Sequence, residues 1–224
     1  MADDWDNDKD ILSYCEYNIQ DSVLTYKLFE KFFSHMKEIT AITGLPFFEA
    51  VRSPMSQLVE WLLIKKSIEQ NMIIPNKPKI REISEREKDT YKGGFVFQPS
   101  PGLYKNVEVM DFKSLYPTIV VAHNIGPDTL NCTCCDKENC APINSQKYCF
   151  CSKRKGFVAS IIEDLIVRRI RIKEILKEGK GEKEVLNARQ LSLKLLANAF
   201  TGVLGFPLSR WYSIESIASI TAWG

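Results

Sequence analysis

The residues best suited to chemistry lie in the segment VEVMDFKSLYPTI, from Val107 to Ile119. The alternation of residues up to Asp111 predicts a short strand that ends at this carboxylate. Ser114 is the expected N-cap of a short helix, and Pro117 falls in its first turn, where a missing N–H is tolerated. A carboxylate beside the free N–H groups of a helix start suits a metal ion bound next to a polyphosphate. The alternative to metal binding, for an isolated Asp, is that its side chain caps a turn.

Cationic side chains recur on two predicted helices, residues 156–177 and 184–204, which the polar turn 178–182 joins into an antiparallel hairpin. Arg169 and Lys173 stand one turn apart on the first helix. On the second helix, one face carries Gln190, Lys194, Asn198 and Thr201. Cations at fixed spacing would bind a triphosphate, whereas the ordinary alternative is a solvated face.

Six of the seven cysteines lie within 20 positions: Cys132, Cys134, Cys135, Cys140, Cys149 and Cys151. In an intracellular protein such a cluster favours a metal over disulfides, although disulfides of a thermophile and free thiols remain alternatives. If the loop binds a structural zinc ion, the expected ligands are Cys132, Cys135, Cys149 and Cys151. Each interpretation gives the loop a structural role, and none indicates catalysis.

The elements around these residues are predicted as follows. Residues 11–44 form a helix that Gly44 ends, and residues 47–70 form a second helix. On the first helix, Tyr17 and Asp21 share one face, where they would orient a water and hold a metal or lie as an ordinary surface pair.

Two glycines precede the segment that carries Asp111. Gly93 and Gly94 follow Tyr91 and allow a close backbone approach, or they form an ordinary bulge at the start of a strand. Residues 94–112, with a turn at 99–102, predict a β-hairpin that carries the carboxylate. Residues 213–222 begin a further helix.

Composition limits the class of protein. The 224 residues are 45% hydrophobic and 26% charged with a net charge of +2, which is typical of a globular protein. Basic residues concentrate in the range 153–183, which indicates a local rather than a global anionic partner. No membrane span and no signal peptide are expected, so an intracellular protein of the cytoplasm or nucleoid is predicted.

From about Tyr14 onward the sequence resembles a family B DNA polymerase of the archaeal type, because several motifs occur in the family's order. The matching positions are Tyr17 and Asp21 (YxxxD), Tyr91, Gly93 and Gly94 (YxGG), Asp111 to Pro117 (DxxSLYP), Arg169 and Lys173 on the first fingers helix, and Lys194, Asn198 and Gly202 (Kx3NSxYG). The last motif departs from the pattern at Ala199 and Thr201. The cysteine-rich insert also looks like archaeal members.

The resemblance implies two-metal nucleotidyl transfer with Asp111 as the catalytic carboxylate and the carbonyl of Phe112 as a further Mg²⁺ ligand. The implied nucleotide-binding residues are Phe112, Ser114, Leu115, Tyr116, Arg169, Lys173, Lys194 and Asn198. The implied DNA contacts are Tyr91, Gly93, Gly94, Thr201 and Gly202. Tyr17 and Asp21 would be a remnant of a 3′–5′ exonuclease site, with Asp21 a metal ligand there.

The implied fold class is α+β. It combines a partial polymerase palm, made of a β-hairpin and helices, with an antiparallel two-helix fingers hairpin and a helical remnant of the exonuclease. The expected units are the exonuclease helix (1–45), a helical connector (46–90), the palm part with the cysteine loop (91–155), the fingers hairpin (156–206) and a return to the palm (207–224).

The family's second catalytic motif, DTD, is missing. The Asp residues after Asp111 are Asp128, Asp136 and Asp164, and none belongs to a DxD pattern. We therefore expect a segment of a polymerase or one half of a split enzyme, inactive alone, with primer-template DNA, dNTP and the remaining polymerase segments or a companion subunit as partners. A non-catalytic nucleic-acid-binding or assembly subunit with a zinc-containing loop is the alternative. A reverse transcriptase or RNA polymerase palm is disfavoured by the Tyr116–Pro117 pair.

Overall fold

The computed structural model describes residues 11–143 and 147–224, which form a helical assembly. In chain order the helices are α1 (Ile11–Thr43), α2 (Phe47–Arg52), α3 (Met55–Glu69), α4 (Ile80–Arg86), α5 (Leu115–Ala122), α6 (Phe157–Lys177), α7 (Lys183–Leu204) and α8 (Ile214–Trp223). Within those two ranges, no helix combines the length and the apolarity that a membrane crossing requires.

Helix α7 lies at the centre of the core, where it packs against α1, α3, α5, α6 and α8. Its buried stripe recurs every three or four residues and contains Leu193, Leu196, Phe200 and Val203. The predicted hairpin over 156–177 and 184–204 is confirmed as α6 and α7, because both helices are present and pack against each other across a short turn. Apolar residues at helical spacing therefore placed these two elements from local pattern alone.

The predicted helix over 11–44 is confirmed as α1, which ends where Gly44 adopts φ +78°. Only its C-terminal part enters the core, since Ile39 and Thr43 are its buried residues. The carboxylate of Glu38 accepts two hydrogen bonds from Arg189 on α7, at 2.7 and 2.9 Å. Among the described residues, the contacts that hold α1 to the core therefore lie near its C-terminal end.

The prediction of one helix over 47–70 is wrong, because the chain breaks at Ser53 and Pro54 into α2 and α3. Proline disfavours helical backbone at the residue before it, and Ser53 accordingly adopts ψ 135°. Helix α4 was not predicted. It is anchored by Arg86, whose guanidinium donates to the carbonyls of Pro207 and Ser209 at 3.0 Å each.

The predicted β-hairpin over 94–112 does not form. Residues 11–143 and 147–224 contain no strand, and their only β-type pairs are two isolated bridges, Leu130 with Phe150 and Cys140 with Cys149. The apolar side chains of the segment stay exposed, for example Val109 at 90%. A two-stranded hairpin is marginal without a further strand or a packed face, and the described helices offer no sheet edge to pair with. The α+β fold class stays a prediction.

Candidate functional site

The start of α5 is joined to both helices of the hairpin by one arginine. The Nη1 atom of Arg169 on α6 donates to Ser114 Oγ at 3.0 Å, and its Nε donates to Gln190 Oε1 on α7 at 3.4 Å. Arg169 thus faces the segment that carries Asp111, three residues before Ser114. The structure brings together a cation and a helix start that are 55 positions apart.

Ser114 occupies the predicted N-cap position of α5, but its hydroxyl caps no backbone N–H. Its backbone lies in the left-handed region with φ +53° and ψ +51°. Such a conformation costs a non-glycine residue about 1–3 kcal/mol and persists where the surroundings hold it. The hydroxyl instead accepts the hydrogen bond from Arg169, so the expected capping role is wrong and the side chain connects α5 to α6.

The remaining predicted phosphate ligands line the hairpin on either side of Arg169. Lys173, Lys194 and Asn198 are all exposed. Because Arg169 contacts Gln190 in an antiparallel pair, Lys173 lies one turn towards the connecting turn and Lys194 one turn towards the base. Two helical turns rise about 11 Å, which is the spacing along the hairpin axis expected between the backbone positions of Lys173 and Lys194.

Asp111 and Phe112 are exposed in the extended segment before α5. In the part of the chain that the structure describes, the only group of three or more side chains able to share a metal is made of cysteines, so Asp111 belongs to no such group. Two divalent ions beside one carboxylate would lack the anionic ligands that offset their mutual repulsion. The described residues alone therefore do not fit a two-ion site.

Tyr116 lies against Gly94, the second of the paired glycines. A Cβ at Gly94 would sit 3.1 Å from the hydroxyl of Tyr116, so a larger residue there would displace that hydroxyl by a few tenths of an ångström. Both residues line a cleft of about 1040 Å³ together with Tyr91 and Gly93. Helix α8 closes one side, where Thr221 Oγ1 donates to the carbonyl of Lys92 at 3.0 Å. The structure thus brings the YxGG residues and Tyr116 together.

The wall that α8 adds to this cleft was missed from the sequence. Ala218, Thr221 and Ala222 line it at helical spacing. That spacing was the only available signal, and small residues on a helix face are too common to indicate a site without the tertiary fold.

Thr201 is buried, although it lies on the predicted polar face of α7. Its side chain is 8% exposed, and its hydroxyl donates to the carbonyl of Asn198 at 2.7 Å within α7. Thr201 shares the face of Lys194 as predicted, because residues seven apart on the continuous helix α7 differ by about 20° around its axis, but the core covers that face at this position. Gly202 is exposed, and a Cβ there would meet no atom within 4 Å.

Tyr17 and Asp21 lie on the exposed N-terminal part of α1, where Tyr17 is 65% exposed. In the two described ranges, neither residue belongs to a group of three or more side chains that could share a metal. The structure therefore places the pair on one helix but does not bring it to the start of α5 or to the cations of the α6–α7 hairpin.

The six cysteines of the cysteine loop, which connects α5 to α6, fall into two sets. Cys140 and Cys149 form a disulfide, so the predicted inclusion of Cys149 among the zinc ligands is wrong. The sulfur atoms of four other cysteines lie within 4.8 Å of one another, and we call these residues the thiol cluster: Cys132, Cys134, Cys135 and Cys151. The backbone N–H of Arg154, 3.3 Å from the sulfur, lowers the pKa of the Cys151 thiol to about 6.

Comparisons with known proteins agree on one family. The family model described as DNA polymerase family B matches residues 45–224. DNA polymerase 1 of Pyrococcus abyssi is 37% identical over 226 residues, which cover 100% of this chain and 29% of that protein. A DNA polymerase of Thermococcus gorgonarius shows the same identity and coverage. The solved family B DNA polymerase of Pyrobaculum calidifontis superposes with a TM-score of 0.70 at 31% identity, over 88% of this chain and 26% of that one.

Proposed function

The chain belongs to DNA polymerase family B, and on that premise we propose that it contributes to template-directed DNA synthesis. The reaction transfers a nucleotide from dNTP to the 3′-hydroxyl of a primer. The chain spans about 29% of the length of the curated relatives named above, so the activity is proposed for the polymerase that contains this segment. The contact of Arg169 with Ser114 supports the proposal most directly, because it turns a hairpin cation towards the start of α5.

We assign the triphosphate to the space between the α6–α7 hairpin and the start of α5. Arg169, Lys173 and Lys194 would neutralise its charge in sequence along the hairpin. The backbone N–H groups of Ser114 and Leu115 would donate to phosphate oxygens at the helix start. Such catalysis needs donors held in position rather than an unusual pKa, and the packed hairpin supplies that rigidity.

Other residues would position the nucleotide and the DNA. Tyr116 would pack under the incoming sugar and reject a 2′-hydroxyl, since its ring lies in the cleft beside Gly94. Asn198 would contact the nascent base pair. The template strand would follow the YxGG segment, and Gly202 with its neighbour Thr201 would lie near the pair.

In the same proposal, residues 91–155 and 207–224 are parts of the palm and residues 156–206 are the fingers. Residues 46–90 connect them to residues 1–45, a part of the exonuclease that retains Tyr17 and the metal-ligand position Asp21.

Divalent metal ions are used by family B polymerases, and Mg²⁺ is the ion proposed here. When bound, it would activate the primer hydroxyl and stabilise the leaving pyrophosphate. Asp111 and the carbonyl of Phe112 would be ligands on this chain. Since the described residues do not fit two ions, we propose that the second carboxylate comes from another segment or a companion subunit.

The proposal is tested by nucleotide binding to the chain, measured by the anisotropy of a fluorescent dNTP. Arg169→Ala is expected to weaken binding about tenfold to a hundredfold, because one hydrogen bond to a charged group contributes about 1.5–3 kcal/mol. Arg168→Ala is the matched control, since it removes the same charge one residue away, where Arg168 pairs with Asp164 at 2.9 Å on an exposed surface. Equal losses in the two variants would show nonspecific charge attraction and refute the assignment.

A further inference from the structure

We propose that the cysteine loop holds one Zn²⁺ in a structural site of four thiolates: Cys132, Cys134, Cys135 and Cys151. In tetrahedral coordination with Zn–S bonds of about 2.3 Å, the sulfurs stand about 3.8 Å apart. The four sulfurs here lie within 4.8 Å of one another, and two of the pairs are 3.1 and 3.4 Å apart. Changes of up to about 1 Å in these separations, or about half an ångström for each sulfur, would therefore admit the ion.

The chemical type of the four donor atoms determines which metal ion the site prefers. All members of the cluster are sulfurs, and soft thiolates bind Zn²⁺ in preference to Mg²⁺ or Ca²⁺. Four protein ligands leave no open position, which is the pattern of structural rather than catalytic zinc. A cubane iron–sulfur cluster needs wider spacing, because its inorganic core separates the thiolates.

Neither of the two histidines belongs to the thiol cluster. His123 Nδ1 shares a hydrogen bond with Asn139, and its ring stacks on Trp223 at 3.9 Å. The site is therefore defined by cysteines alone.

The alternative to a zinc site is a pair of further disulfides, one between Cys132 and Cys135 and the other between Cys134 and Cys151. That arrangement would require only two close pairs. Instead, every sulfur of the thiol cluster lies near the other three, which is the arrangement that a central ion requires. The backbone N–H of Arg154 also donates to the sulfur of Cys151, an outer-shell contact typical of thiolate ligands.

The ion would hold the loop against the base of α6. The Cys151 N–H donates to the carbonyl of Thr129 at 3.0 Å, and its carbonyl accepts from Asn124 Nδ2 at 2.7 Å. Asn124 Oδ1 in turn accepts from the N–H of Gly156, immediately before α6. Zinc would thus join residues 132–135 to the segment around Cys151 that leads into α6. This inference rests on the loop geometry and not on the proposed polymerase function.

The test is the zinc content of the purified full chain, measured by inductively coupled plasma mass spectrometry after dialysis into metal-free buffer. We expect about one Zn²⁺ per chain and its loss in Cys134→Ser. The double variant Cys140→Ser with Cys149→Ser should retain zinc, because those residues form the disulfide. Cys15→Ser, on exposed α1, is the matched control and should also retain zinc.

Three results would overturn the proposal: a zinc-free chain whose intact mass shows three disulfides, zinc that is retained in Cys134→Ser, or zinc that is lost from the Cys140 and Cys149 double variant. X-ray absorption at the zinc edge of the unaltered chain gives an answer even if a variant fails to fold. Four sulfur ligands support the site, and any smaller number of sulfurs, or the visible absorption of an iron–sulfur cluster, refutes it.

Discussion

Asn124 is the residue whose replacement tests the junction between α5 and α6 most sharply. It follows α5 with φ +56° and makes three side-chain hydrogen bonds. Its Nδ2 donates to the carbonyls of Cys151 and Arg154 at 2.7 and 2.8 Å, and its Oδ1 accepts from the N–H of Gly156 at 2.7 Å. One side chain therefore holds both ends of the segment that leads into α6.

The expected effect of Asn124→Ala follows from these contacts. Each hydrogen bond contributes about 1 kcal/mol net, so their loss removes about 3 kcal/mol from the free energy of unfolding. Alanine also tolerates left-handed backbone less well than asparagine, which adds about 1 kcal/mol. The variant should therefore be about 4 kcal/mol less stable.

The assay is urea unfolding followed by circular dichroism, with Asn106→Ala as the matched control. Asn106 has φ +55° and an exposed side chain that makes no hydrogen bond within the described ranges, so its replacement carries only the backbone cost of about 1 kcal/mol. The difference between the two variants isolates the three hydrogen bonds. A difference below about 1 kcal/mol would refute the inferred role of Asn124.

Two further outcomes are expected. Leu196→Ala should lower the free energy of unfolding by about 2–5 kcal/mol, because Leu196 is 0% exposed in the centre of α7. Leu195→Ala, at 43% exposure on the same helix, should cost much less, and equal urea midpoints would contradict the core assignment. In a primer-extension assay with dNTP and Mg²⁺, the chain alone should give no product, because Asp111 supplies one carboxylate for two ions. Primer extension above background would show that the reaction does not require a second carboxylate from outside this chain.

Local pattern was sufficient for the elements that satisfy their own backbone hydrogen bonds. Helices α6 and α7 followed from apolar residues at helical spacing, and Gly44 marked the end of α1. The hairpin over 94–112 failed for the opposite reason. A strand is stabilised by partners elsewhere in the chain, and a period-two pattern does not show whether such partners are present.

Motifs in a fixed order were enough to assign the family from the amino-acid sequence, which also supplies the types of side chain available for phosphate and metal binding. Which of these side chains meet depends on the tertiary fold. It turned Arg169 onto Ser114, buried Thr201, and placed Cys149 in a disulfide while Cys134 joined the thiol cluster. These outcomes depend on contacts between distant segments and on which face of a helix the core covers. Residue spacing along the chain does not encode either quantity directly.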